Sequence, residues 1–320
     1  MRAIVLHRTG GPEVLELEDV PAPSPKAGEV LVELHARGVG FADTERRSAK
    51  YGPTPVPCIL GSEGAGVVVE TGAGVDATWL GRRVALHAPR CGTYAEQTTC
   101  PAGALMPLPD GLDWVTAAAI PQQGLTAYLM VHRAAHIRPG QVVLVHAAAG
   151  GVGLLTVQML RRLGARVLGT VSSDDKAAAV REAGGEPLLY GDDLLERARV
   201  LTGGHGVDVV FDSVGKPTQA VSLAMLAPFG ELIHFGDAGG LPVPVDPNDL
   251  YPRSLKVGAF GLDEQHDEAA AARARRDLVT WAADGSLRFR VSRTLPLAEA
   301  AEAHRLIESR GSVGKIVLVH

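Results

Sequence analysis

Residues 142–159, VLVHAAAGGVGLLTVQML, constrain this chain more than any other stretch. A β-branched run leads straight into Ala147-Ala148-Ala149-Gly150-Gly151-Val152-Gly153, and an amphipathic helical pattern follows. Side-chain bulk is therefore missing where a strand hands over to a helix. Such a place suits an anion, because the first backbone amides of a helix lack intrahelical acceptors and the helix dipole is positive there. Gly150 allows a pyrophosphate to approach the backbone, and Gly153 lets the helix sit tight on the strand. The strict dinucleotide fingerprint has glycine where this chain has Ala148, so the loop alone also reads as a glycine-rich turn. Repeated strand–helix units behind it favour the phosphate cradle.

The 320 residues leave room for two domains. Residues 1–118 carry short alternating runs (RAIVLHR, VLELEDV, EVLVELHARGVG, GAGVVVETG, RRVALHA) broken by Gly and Pro, the spacing of a small barrel or folded sheet. Residues 119–261 alternate strand and helix: QVVLVHA before a helix at 151–163, ARVLGTVS before one at about 174–183, EPLLYG before one from about 192, and VDVVFDSVG before one at 217–227. GELIHFG and LKVGAFG supply the last two strands. This predicts an α/β fold with a doubly wound parallel sheet. Residues 262–320 hold an Ala/Arg-rich helix, a strand, another helix and GKIVLVH; too short for a domain, they are expected to return to the first one.

A net charge of −5 offers no bulk attraction to nucleic acid or acidic membranes. No apolar stretch is long enough to span a bilayer, and MRAIVLHRTGG reads as strand and turn rather than a signal peptide. Cys58, Cys91 and Cys100 are too few and scattered for a disulfide framework, so a reduced, cytoplasmic protein is expected.

The nucleotide is read at the end of the next strand. An NAD site places a carboxylate there to bond the ribose 2′-hydroxyl. This chain has Thr170-Val171-Ser172-Ser173-Asp174-Asp175-Lys176 instead. Ser172 and Lys176 can bond a 2′-phosphate, which a carboxylate would repel, so NADPH is favoured over NADH. Ser172 or Ser173 could also cap the following helix, with Asp174 and Asp175 complementing its dipole. The two roles are compatible.

The blocks HAAAGGVGLLTVQMLRRLGARVLGTVSSDDK, GGPEVLELEDVPAPSP, LGSEGAGVV and AHRLIESRGSVGKIVLV resemble the zinc-independent medium-chain dehydrogenase/reductases, in their quinone oxidoreductase (ζ-crystallin-like) branch. The resemblance runs over essentially the whole chain. It implies a GroES-like substrate domain built from both chain ends around an inserted Rossmann domain, NADPH held between them, and a homodimer or tetramer. By position it implies that Gly151 and Val152 meet the pyrophosphate, that Tyr190 joins Ser172 and Lys176 around the 2′-phosphate, and that Thr126 lies under the cofactor. It sets Ser213, Phe235, Gly236, Phe260, Gly261 and Leu262 near the nicotinamide ribose, and Phe41 among the cofactor contacts. Most of these fall at carboxyl ends of parallel strands, where ligands of open α/β sheets bind.

The zinc branches of the resembling family carry Cys and His where this chain has Gly40 and Ser62, although Glu63 remains, and no four-cysteine lobe follows residue 90. His132 and His136 share an i, i+4 spacing, but on a polar helix face with no acidic partner they read as solvated. No metal is expected. Family members also offer an Asn where this chain has Gly40, which leaves Asp43, Tyr51, Gln122 and Gln123 as polar candidates for the reaction. Each has a plainer role: Asp43 as a helix cap, the Gln pair in hinge bonding, Tyr51 as a wall aromatic. The expected acceptor is a quinone or other conjugated carbonyl. The alternatives are a 2-enoyl thioester reductase, possibly of a polyketide pathway, with Tyr51 as proton donor, or a non-catalytic NADPH-binding protein. The acidic balance disfavours an RNA partner. A homodimer is expected because the last parallel strand, about 255–260, needs its edge covered, and apolar GGLPVPVDP lies just before it.

Overall fold

A computed structural model describes residues 1–50, 52–87, 92–262 and 267–320. The first strands are β1 (Arg2–Leu6), β2 (Leu15–Asp19) and β3 (Glu29–Val39), followed by helix α1 (Phe41–Arg47). Next come β4 (Cys58–Ile59), β5 (Glu63–Thr71), β6 (Arg83–His87), β7 (Gln97–Pro101) and β8 (Leu105–Pro107), then α2 (Trp114–Ala118) and α3 (Pro121–Leu129). Strand–helix alternation begins at β9 (Val142–Val145) and runs through α4 (Gly151–Arg162), β10 (Arg166–Val171), α5 (Asp174–Glu182), β11 (Glu186–Leu189) and α6 (Leu194–Leu201). It continues with β12 (Val207–Asp212), α7 (Lys216–Met225), β13 (Leu226–His234), the short α8 (Pro247–Leu250) and β14 (Lys256–Ala259). The chain ends with α9 (Glu268–Ala283), β15 (Val291–Pro296), α10 (Ala300–Glu308) and β16 (Lys315–Val319).

The chain folds as two compact units, Met1–Leu125 with Ala272–His320, and Thr126–Ala271. The first unit holds a small antiparallel sheet, β2-β1-β4, and a seven-stranded sheet ordered β15-β16-β3-β5-β6-β8, with β7 also on β3. β16 lies antiparallel to β3, Ile316 facing Val39 and Val319 facing Ala36, so the last strand of the chain completes a sheet begun near its start. Val30, Val32, Leu34, Val68, Val84 and Leu86 alternate inward from β3, β5 and β6 and form one buried cluster.

The second unit is a six-stranded parallel sheet ordered β11-β10-β9-β12-β13-β14. Numbered within the unit, that order is 3-2-1-4-5-6, the doubly wound arrangement in which order reverses beside the first strand. The central strands are buried on both faces: Leu144, Leu168, Val210 and Leu232 are inaccessible to solvent. β14 is an edge strand.

Two local readings need correction. The π-helical turn that ends α3 stops at Ala134, and Ala135 is extended, so His136 lies past the helix and shares no face with His132. Helix α1 begins at Phe41 with Gly40 as its N-cap, so Asp43 is not the cap residue but the third helical position. It caps in reverse: its carboxylate accepts from the Gly40 N–H at 2.8 Å.

Candidate functional site

In the second unit β9 delivers the chain to the glycine-rich loop and α4 leaves it. Gly150 is the N-cap with extended backbone, and no side chain bonds the first-turn amides. Gly153 is packed against the loop itself: a Cβ there would stand 2.6 Å from the Ala147 oxygen and 2.8 Å from the Ala148 Cα. The residues present therefore fit a pyrophosphate, with amides at Gly151 and Val152 that no side chain caps.

The loop has a polar floor that sequence reading missed. Ala147, left-handed at φ 49°, donates its N–H to the Tyr190 hydroxyl at 3.0 Å. That hydroxyl lies 2.9 Å from Thr170 Oγ1, which lies 2.9 Å from His146 Nδ1. His146 Nε2 is 2.9 Å from Ser222 Oγ, and Ser222 donates to the Asp212 carboxylate at 3.4 Å. Asp212 also accepts from the N–H groups of Val214 and Gly215 and from Thr218. Burial holds the His146 pKa down at about 4, so the ring is neutral near neutral pH and relays hydrogen bonds without a charge. Tyr190 thus turns its hydroxyl beneath the loop rather than outward, although over a third of the residue stays exposed.

At the end of β10, Lys176 Nζ donates to Ser172 Oγ at 3.0 Å, so these two candidates stand together on the surface. Ser173 is the N-cap of α5 but makes no side-chain cap bond. Ser213 and Gly236 are neighbours, a Cβ on Gly236 falling 3.4 Å from Ser213 Cβ. Phe235 donates its N–H to the Asp212 carbonyl and Phe260 to the His234 carbonyl, each within 2.9 Å, which aligns the loops after β12, β13 and β14. Gly261 and Leu262 follow Phe260 at the same end of the sheet, and Thr126 opens the unit on α3.

In the first unit a buried polar cluster gathers around Asp43. Its carboxylate accepts from the Tyr94 hydroxyl at 3.2 Å and from Ser62 Oγ at 3.5 Å. Burial pushes the Asp43 carboxyl up, and the Gly40 N–H and the Lys315 and Arg46 charges pull it back. Glu63 pairs with Lys315 and accepts from the Gln122 N–H at 2.8 Å; burial raises its carboxyl too, with Lys315 opposing. His87 faces Glu63 across β5 and β6, and burial lowers its pKa to about 4, with Arg46 and Lys315 repelling a ring charge. Tyr94 continues to His304 at 3.1 Å, His304 to Arg47, and Arg47 to Glu308 at 2.6 Å. Phe41 begins α1 beside this cluster. Gln123 is turned elsewhere: its Nε2 donates to the Ala119 carbonyl at 2.6 Å, and Gln122 is the glutamine that reaches Ser62. Tyr51 and Cys91 lie outside the described residues.

Among the described residues, the one group of metal-ligand types close enough to share an ion is His7, Glu16 and Glu18, far in sequence from Gly40 and Ser62 and mostly exposed. No described helix is long and apolar enough to cross a membrane.

Residues 26–110 match the alcohol dehydrogenase GroES-like domain family, and residues 188–318 a family described as zinc-binding dehydrogenase. The chain is 38% identical to a 2-haloacrylate reductase of Burkholderia sp over 99% of its length and 98% of the relative's, and 38% identical to a Pseudomonas aeruginosa quinone oxidoreductase over 97% of both. Escherichia coli quinone oxidoreductase complexed with NADPH superposes over all of both chains with a TM-score of 0.94 at 34% identity. A mycobacterial protein complexed with NADPH superposes as completely, with a TM-score of 0.95 at 38% identity. The chain belongs to the zinc-independent medium-chain dehydrogenase/reductases, in the quinone oxidoreductase branch. As a medium-chain dehydrogenase/reductase it is an oxidoreductase with a GroES-like domain and a Rossmann domain. The "zinc-binding" description of one matching family fits the fold and not the ligands, since Gly40 and Ser62 carry no metal-binding group of the nitrogen or thiolate type.

Proposed function

We propose that this oxidoreductase takes a hydride from NADPH and delivers it to a quinone or another conjugated carbonyl, without metal. The carrying observation is the side-chain-free loop of Gly150, Gly151, Val152 and Gly153 at the head of α4, on a chain that superposes end to end on NADPH complexes. Bound there, the nicotinamide would supply the hydride. The protein's own residues would hold the pyrophosphate at the α4 amides and the 2′-phosphate at Ser172 and Lys176. Ser213, Phe235, Gly236, Phe260, Gly261 and Leu262 would frame the nicotinamide ribose, with Thr126 and Phe41 as further contacts. A cytoplasmic location accords with the low cysteine count.

Following NADPH absorbance with and without a simple quinone tests the activity: a binding protein would take up the cofactor and oxidise none of it. Lys176→Ala is expected to weaken NADPH by about 1–3 kcal/mol, the range for a charge-assisted bond, and leave NADH nearly unchanged. Equal losses for both nucleotides in a fluorescence titration would end the 2′-phosphate assignment.

The 2-haloacrylate reductase relative favours a second acceptor class, an activated carbon–carbon double bond. There a proton must reach one particular carbon, and Tyr51 would be its donor, since the other two catalytic candidates, Asp43 and Gln123, are buried and bonded within the protein. Tyr51→Phe should then slow an enone by roughly 100-fold and spare a quinone, whose oxygens water can protonate. Equal activity of both proteins on the enone removes the tyrosine. A homodimer through the β14 edge is supported by the exposed Leu241, Val243 and Tyr251 in the segment that leads into that strand, and light scattering showing a concentration-independent monomer would refute it.

A further inference from the structure

We infer that Gln122 is the acceptor-binding residue of the substrate unit, and that position 40 is glycine in order to leave its carboxamide room. The inference rests on the reductase reading above. Gly40 has φ −102° and ψ 151°, ordinary extended backbone that any residue adopts, so conformational freedom does not call for glycine. It is also the N-cap of α1, where Ser, Thr, Asp or Asn would add a capping bond. What they would meet is a side chain that has to move aside. A Cβ on Gly40 would stand 2.6 Å from Gln122 Oε1 and 3.3 Å from Gln122 Cδ and Asp43 Oδ2. The Gln122 carboxamide fills the volume that a side chain at position 40 would take.

It is also held there. The Gln122 backbone N–H donates to Glu63, which Lys315 anchors, and this fixes where the side chain starts; Ser62 Oγ, whose one proton lies between Asp43 Oδ1 at 3.5 Å and Gln122 Oε1 at 3.4 Å, meets its far end. Asp43, Ser62 and Glu63 are fully buried, whereas Gln122 keeps part of its surface exposed. Of these four side chains it is the one that can meet a ligand. Its chemistry suits a carbonyl acceptor: when hydride adds to the conjugated system, an electron pair moves to the carbonyl oxygen, and a proton from water completes the reduction. A neutral carboxamide can donate an N–H to that oxygen as its charge develops, where the Asp43 or Glu63 carboxylate would repel it.

The test is a set of variants assayed for kcat/KM with a simple quinone at saturating NADPH, with thermal unfolding and NADPH titration in parallel. Gln122→Ala should lower kcat/KM by roughly 10- to 100-fold, the range of a bond to a charged group, with NADPH affinity unchanged. Gly40→Asn alone should also lower it, because two side chains then claim one volume. Gly40→Asn with Gln122→Ala should recover most of the loss, since a carboxamide returns to the vacated space from the other side. Gly40→Ala with Gln122→Ala should match the parent's unfolding temperature yet stay impaired, which a purely structural role for Gln122 would not produce. Additive losses in the Asn double variant, or a stable Gln122→Ala protein with parental kcat/KM, overturn the role of Gln122 alone. A parent protein that oxidises NADPH with no quinone or enone overturns the reductase reading instead.

Discussion

Gly153→Val is expected to destabilise the protein by about 3 kcal/mol and to weaken NADPH at least 100-fold, the combined effect of overpacking and of several displaced amide contacts. The atoms that a side chain would strike are backbone, the Ala147 oxygen and Ala148 Cα and carbonyl carbon, all within 2.8 Å of the added Cβ. None of them can swing aside like a side chain, so α4 must lift from β9 or the loop must move. Either shift disturbs the Ala147 N–H bond to Tyr190 and so the floor of the cradle. Urea unfolding reads the first effect, and quenching of NADPH fluorescence reads the second. Gly103→Ala is a control, because a Cβ there meets nothing within 4 Å. Parental NADPH affinity in the Gly153 variant would mean that the nucleotide binds elsewhere.

Lys315→Met should destabilise the protein by about 3–5 kcal/mol near neutral pH, the usual result of removing one partner from a buried ion pair. The Lys315 and Glu63 side chains are 6% and 0% exposed. Without the ammonium, Glu63 keeps the Gln122 N–H but loses its counter-charge, and its carboxyl, already raised by burial, rises further. A carboxyl with a folded pKa above its unfolded value binds more protons in the native state, so stability falls as pH rises between the two values. The deficit should therefore be greatest at neutral and alkaline pH and shrink on acidification, as the folded state takes up a proton before the unfolded one does. Denaturant unfolding at several pH values checks this. A deficit that does not change with pH, or one that Glu63→Gln fails to relieve in the double variant, would show that Lys315 acts through packing alone.

The parallel sheet is legible in the sequence because its information is local. Each β-branched run is followed by small residues and a helical period, and the loop at 147–153 carries its meaning in its own composition. The pairing of Ser172 with Lys176 spans one helical turn and is equally readable. The cluster around Asp43 is not. It joins residues from β5, α1, α3 and β16, and no spacing rule links Glu63 to a lysine that arrives at the start of the last strand. Tyr190 illustrates a second limit, since a tyrosine at a strand end has no local signal for whether its hydroxyl faces solvent or turns under a neighbouring loop. Asp43 reads as a cap residue because Phe41 and Ala42 give no sign that the helix has already begun.

The pairing of β16 with β3 has a consequence for biosynthesis. Residues 36–39 of β3 have β16 as their partner on one edge, so a nascent chain on the ribosome carries that edge open until residues 316–319 have been made, although Ala36 and Arg37 already pair with β5 on the other. The Rossmann unit, encoded wholly between residues 126 and 271, has all its strands available long before then. An unpaired strand edge in a waiting polypeptide is a template for aggregation. A ribosome that stalls after the nucleotide-binding unit would therefore release a chain with one domain able to fold and the other holding an open seam.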